Sequence, residues 1–335
     1  MRLRNLFHRQ YATDVADNLS STVREHSRCG QHLSSKAALI ETGIQLSGYK
    51  HWLSDHDAFD KHLQAARQSA NKPFAFPSRM SLDSSVEVDS EEGSTVVSIN
   101  RQSDDQPAII YLYGSAFVDL PVREDWQFAD RLAQQSGAQI VVPLYPLVPG
   151  HHYQDDYHLL DQLYHHLLER MPASQVTILG SSAGGLLALG FAEELGQGGL
   201  PQPGHVVLFS PWLDISLSNP LIKKYADKDV MLAPEGLRRI GEMWSGDGDH
   251  TDYHLSPLNG DLTRMRDVHV YVGTNEIMAP DVFELERRLK KAQVPSQVTM
   301  TRGLFHTYPV YDFPEGRAVV SEVAKIVSGK DVMIH

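Results

Sequence analysis

A serine hydroxyl cleaves acyl bonds only when a base takes its proton and a carboxylate holds that base in place. Ser182 stands at the centre of Gly180-Ser181-Ser182-Ala183-Gly184, a G-x-S-x-G between two apolar stretches. Before it lies a short β-branched run, Val176 to Leu179, and after it an Ala- and Leu-rich segment, Leu186 to Leu195. A strand turning sharply into a helix would lift the Ser182 hydroxyl above a sheet, with Gly180 and Gly184 leaving room for close backbone packing. The motif arises by chance about 0.1 times in a chain of this length, and its flanks make chance a poorer explanation still. Carboxylates are offered by Gly273-Thr-Asn-Glu-Ile-Met-Ala-Pro-Asp281, namely Glu276 and Asp281. Asp281 follows Pro280 and precedes a helical run from Val282, so it is expected to cap that helix, leaving Glu276 as the partner of a base. His306, in Gly303-Leu-Phe-His-Thr-Tyr308, is set apart among 17 histidines by following the last expected strand. An oxyanion forming on the substrate needs amide donors, for which Ala183, Ser115 and Ala116 are the candidates. The last two belong to the small-residue loop Tyr113-Gly-Ser-Ala-Phe117.

These groups must be brought together by larger elements. Strand signals occur at Ser85–Asp89, Ser94–Asn100, Ala108–Tyr113, Gln139–Leu144, Gln175–Leu179, His205–Ser210, Val268–Val272 and Gln297–Thr301. Helical spacing fills Arg123–Gln135, Asp155–Met171, Leu186–Leu195 and Val282–Ala292 between them. Continuous apolar strands alternating with helices predict an α/β fold, a mostly parallel sheet of eight strands covered on both faces. Ligand crevices in such sheets lie at the carboxyl ends of strands, where the loops carrying Ser182, Glu276 and His306 all begin. Residues 1–80 carry helical spacing and few strand signals. A second interruption at about 217–256 includes the helical Leu237–Trp244. Together these are expected to form a helical cap on a catalytic domain spanning 81–335.

The histidine-rich run from His151 to His158, with His165 and His166, invites a metal reading. Leu159, Leu160, Leu163 and Leu167 form the apolar side of the same helix, however, which makes the polar residues its solvated face and leaves no open metal site. Neither metal nor cofactor is expected. Thirty Lys and Arg against 42 Asp and Glu give a formal charge of −12, which argues against nucleic-acid binding. No apolar run approaches the roughly 18 residues that span a membrane. The single Cys29 allows no internal disulfide and suits a reducing compartment. The basic start, Met1 to His8, lacks the apolar core of a signal peptide, so a cytoplasmic location is expected. Homo-oligomerisation is left open.

From Ala108 to Tyr308 the chain resembles the hormone-sensitive-lipase-like branch of the α/β-hydrolases, which contains many bacterial carboxylesterases. Tyr113-Gly-Ser-Ala-Phe stands where that family has His-Gly-Gly-Gly-Phe/Tyr, and Leu144-Tyr-Pro-Leu-Val-Pro-Gly is similar to its Asp-Tyr-Arg-Leu-Ala-Pro-Glu. The elbow Gly180-Ser-Ser-Ala-Gly-Gly, Ser210-Pro-Trp-Leu-Asp and Glu276-Ile-Met-Ala-Pro-Asp match in turn. The chain order Ser, Glu, His is also that of α/β-hydrolases. The resemblance implies an α/β-hydrolase fold with Ser182 as nucleophile, Glu276 as acid and His306 as base. It further implies oxyanion donors at Ser115, Ala116 and Ala183, a cap built from the N-terminal helices and the 217–256 insertion, and a small carboxylic ester as substrate. The chain departs from the pattern at Tyr113, Ser115 and Ala116, and in having Glu as the acid. Two rival functions are an amide or peptide hydrolase on the same triad and a catalytically silent binding protein.

Overall fold

Eight strands form one sheet in a computed structural model that describes residues 33–329 apart from 71, 73, 78, 79 and 92. Cys29 and the basic N-terminal run lie outside the described residues. The strands are β1 (Val86–Glu91), β2 (Ser94–Ile99), β3 (Ala108–Leu112), β4 (Gln139–Pro143), β5 (Val176–Ser181), β6 (His205–Phe209), β7 (Val268–Gly273) and β8 (Ser296–Thr301), in the spatial order 1-2-4-3-5-6-7-8. The two pairings of β2, with β1 and β4, are antiparallel, and all the others are parallel. These are the eight strands legible in the sequence. In β3, β4 and β5 every residue is buried, as expected of parallel strands sandwiched between helices.

Helices α1 (Ser35–Leu46), α2 (Tyr49–Ser54) and α3 (His56–Ala70) precede the sheet. Within it follow α4 (Arg123–Ser136), α5 (Tyr153–Leu168), α6 (Ala183–Gln197), α7 (Ile222–Tyr225), α8 (Pro234–Ser245), α9 (Ala279–Lys291) and α10 (Pro314–Val327). Side-chain alternation along β3 separates two of the layers. Tyr111 donates to Asp125 of α4 at 2.7 Å, whereas Leu112 lies beside Gly180, whose Cα faces Ala188 of α6. Helices α4 and α10 pack together on the first face, and α5 joins α6 on the second. The sequence reading missed the short α2 and the C-terminal α10. In α10, Pro314 occupies the first turn, where a missing N–H costs nothing, and Val319, Val320 and Val323 are buried.

The N-terminal helices join the 217–256 segment. Gly236 of α8 lies so near the Leu53 carbonyl of α2 that no Cβ would fit there. Arg239 of α8 sits 3.9 Å above the Phe59 ring and donates to Asp60 at 2.7 Å. Such a cation held over a ring and beside a carboxylate ties the two pieces by charge as well as by packing.

Candidate active site

Strand β5 runs two residues beyond the strand expected from the sequence, and α6 starts at Ala183, so the turn between them is a single residue. That residue, Ser182, has φ 55° and ψ −116°, a costly conformation for a side chain with a Cβ. It is held by its N–H donating to Phe209 O at 2.9 Å and by its carbonyl accepting from Trp212 N at 3.0 Å. The flanking glycines make the turn feasible, since a Cβ on Gly184 would strike the Leu112 carbonyl and one on Gly180 the Gly184 backbone. Ser182 is 8% exposed, enough for its hydroxyl to be reached.

His306 Nε2 lies 2.8 Å from Ser182 Oγ, and its Nδ1 lies 2.6 Å from Glu276 Oε2. The other Glu276 oxygen accepts from Ser210 Oγ and from Gly273 N, both at 2.7 Å. Ser210 Oγ in turn accepts from Thr307 N at 2.9 Å, so one hydroxyl joins the acid to the loop of the base. Glu276 and His306 are fully buried, and both carboxylate oxygens are satisfied. Ser210 figured in the sequence reading only as part of a matching strand end. Its function depends on two loops distant in sequence, for which no local pattern exists.

The structure corrects the expectation for Asp281. Helix α9 begins at Ala279 with Met278 as its N-cap, because Pro280 is accommodated inside the first turn. Asp281 is therefore a buried first-turn residue that accepts from Asn219 Nδ2 at 2.8 Å. Burial, with smaller effects from Asp214 and Glu284 outweighing the Asn219 bond, pushes its carboxyl up to about 7.

The loop after β3 abuts Ser182, for a Cβ on Gly114 would sit 3.0 Å from Ser182 Cβ. Ala116 and Phe117 adopt φ 52° and 61°, so the positive φ that an alanine resists is nevertheless present at Ala116. The stacked rings of Tyr113 and Tyr145, 4.3 Å apart, brace this loop, and Tyr145 donates to the Tyr113 carbonyl at 2.6 Å. Ser115 Oγ lies 3.3 Å from the same phenol. Among the described residues, the Ser115 and Ala116 amides meet no protein acceptor, and Ala183 N–H is a free donor of the first helical turn. Of the eight non-glycine residues with positive φ among the described residues, five (Ala116, Phe117, Ser182, Ser210 and Thr307) belong to these loops, the concentration of strain expected at a working site.

A cavity of about 510 Å³ opens here. Gly114, Ser115, Ser181 and Thr307 line it from the sheet, and Ile40, Ile44, Tyr49 and Met231 from the N-terminal helices and the insertion. The histidine-rich helix does not gather ligands. His151 pairs with Asp155 at 3.1 Å and His165 with the Asp161 carbonyl at 2.9 Å, one turn away in each case. The metal-compatible group among the described residues is instead His205, Asp267 and His269, at the amino ends of β6 and β7, away from Ser182. Both imidazoles hydrogen-bond Asp267 Oδ2, at 2.7 and 2.8 Å. Against the raising effect of burial, those two bonds hold the Asp267 carboxyl well below its usual range.

Residues 109–310 match the α/β hydrolase fold family, and the chain belongs to it. An esterase of Acinetobacter venetianus is 25% identical over 238 residues, covering 70% of this chain and 78% of that one. An acetyl-hydrolase of Streptomyces hygroscopicus is 28% identical over 223 residues, covering 66% and 74%. Among solved structures, an esterase of the bacterial hormone-sensitive lipase family superposes with a TM-score of 0.70 at 22% identity, covering 81% of this chain and 97% of the other. A hormone-sensitive-lipase homologue from a metagenome library gives 0.72 at 19% identity, covering 90% and 99%.

Proposed function

We propose that the chain is a serine carboxylesterase of the hormone-sensitive-lipase-like branch that cleaves small carboxylic esters through an acyl-enzyme. The observation that carries this reading is the continuous hydrogen-bond chain from Ser182 Oγ through both nitrogens of His306 to Glu276. Ser182 Oγ attacks the ester carbonyl as His306 Nε2 takes its proton, and the buried Glu276 carboxylate stabilises the imidazolium. The carbonyl oxygen, now an anion, is met by the amides of Ser115, Ala116 and Ala183. Collapse of this intermediate breaks the bond to the alcohol, which leaves with the proton from His306. Water then gives its proton to His306, attacks the acyl carbon and releases the acid, restoring the Ser182 hydroxyl.

Helices α1–α3 and the 217–256 segment serve as the cap, a role supported by their contributions to the cavity beside Ser182. A void of about 510 Å³ suits a small ester. The partner is thus a small molecule, and no step requires a second copy of the chain. Among the described residues no helix is long and apolar enough to cross a membrane. The cytoplasm is the compartment assigned, in keeping with a single cysteine.

The test is to incubate the purified protein with p-nitrophenyl acetate and, separately, with a serine-directed fluorophosphonate. Turnover is expected, with one phosphonyl adduct per chain in the intact mass, absent in Ser182→Ala. Turnover should persist in EDTA, since no step uses a metal. An absence of both turnover and adduct would favour the silent binding protein.

A further inference from the structure

A second buried carboxylate stands behind the triad. Asp229 lies in the insertion between α7 and α8 and is 1% exposed. One of its oxygens accepts from Met231 N at 2.9 Å and Leu232 N at 2.8 Å, and the other from Ile277 N at 2.9 Å. Ile277 immediately follows Glu276, so the insertion grips the acid loop at the peptide beside the acid. The insertion is itself held from the N-terminal side, where Lys50 Nζ of α2 donates to the carbonyls of Asp229 and Ala226, each at 2.6 Å. Both ends of this path reach the cavity, since Tyr49, next to Lys50, and Met231 line it.

Resting on the esterase reading above, we propose that Asp229 is a positioning residue that couples the cap to the Glu276–His306 pair. A carboxylate accepting three amide bonds fixes four backbone positions together, two in the insertion, one in the acid loop and its own. Substrate pressing on α2 or Met231 thereby bears on the alignment of Glu276. The negative charge also favours a positive His306, an attraction that opposes the upward push of burial on the Asp229 carboxyl. The titratable groups facing His306 among the described residues are Glu276 from the acid loop, the Ser182 hydroxyl from the elbow and Asp229 from the insertion, with the Tyr308 phenol near Glu276 on the base's own loop.

The experiment compares the full chain with Asp229→Asn, which keeps the shape but removes the charge and sets an NH₂ against a backbone N–H. Turnover on p-nitrophenyl acetate is expected to fall about 10- to 100-fold in kcat with KM changed less than about threefold. The acid limb of the kcat profile should move down, because a lost anion makes imidazolium harder to form. The downfield proton resonance of the His306–Glu276 hydrogen bond should shift or broaden. It is readable whether or not any ester is cleaved, so failure of the esterase reading is distinguishable from failure of this one. A folded Asp229→Asn with parental kcat, acid limb and downfield proton would overturn the proposal. If Asp229→Asn does not fold, Lys50→Met decides. It should lower kcat and shift or broaden the same downfield proton, by less, without the downward move of the acid limb, because a cation and not an anion is removed. Parental kcat and downfield proton in that folded variant would overturn the coupling.

Discussion

At the scale of single residues, the site divides its carboxylates by environment. Glu276 has both oxygens occupied by donors that a charged acid prefers, whereas Asp281, five residues on, has a single Asn219 bond and an oxygen without a partner. Ser182→Ala should fold normally and lose turnover by roughly 10⁴-fold or more, as for a triad acting as a unit, while Ser181→Ala stays active. Steady-state rates with circular dichroism decide it, and a silent Ser181→Ala beside an active Ser182→Ala would reverse the register. Glu276→Gln should cost on the order of 10²–10⁴ in kcat, because an amide favours the wrong imidazole tautomer. Asp281→Asn should leave kcat near the parent and act on stability. A buried acid lifted to about 7 binds its proton more tightly folded than unfolded, so the native state loses stability as pH rises from the unfolded value, 3.8, towards 7. Removing the acid should therefore raise Tm by a few degrees at pH 8, with the difference vanishing near about pH 4. A Tm difference independent of pH would contradict this account.

At the scale of elements, the sequence was most legible where one local rule acts alone. The inner strands announce themselves as apolar, β-branched runs, β1 and β2 by period-two alternation, and the elbow as two glycines about a serine. What the sequence hid is relational. Ser210 looks like any strand-ending serine until Thr307 and Glu276 arrive beside it, and Asp229 like any loop acid until Ile277 does. The capping role expected of Asp281 failed because proline is as welcome inside a first turn as before it, and sequence order alone does not say which. The elbow also makes a prediction of its own. Gly184→Ala places a methyl against the Leu112 carbonyl, backbone that cannot swing aside, and should destabilise the fold by at least about 1–3 kcal/mol. Urea denaturation measures it, and an unchanged midpoint would mean that β3 and α6 separate more readily than their packing implies.

At the scale of the whole molecule, the N-terminal helices and the insertion form one body through Gly236, Arg239 and Lys50. If that body is the substrate cap, loosening it should weaken binding more than chemistry. Arg239→Ala removes the Asp60 bond and the cation over Phe59, contacts worth about 1 kcal/mol together at a half-exposed site. The expectation is a raised KM with kcat within about twofold, and faster proteolytic cutting within residues 33–70. Equal losses in both constants would assign Arg239 to the chemistry instead.

The proposed nucleophile, Ser182, and its proposed base, His306, are 124 residues apart in the chain. On a ribosome adding about 5–20 residues per second, β5 and the elbow are made roughly 6–25 seconds before His306 is joined to them. Throughout that interval Ser182 is an ordinary alcohol, with neither acceptor nor acid at hand. Trp52 and Phe59, made earlier still, must wait for α8 before they are covered. On the proposed triad, the elbow serine thus has no base to activate it until His306 has been made and folded against it.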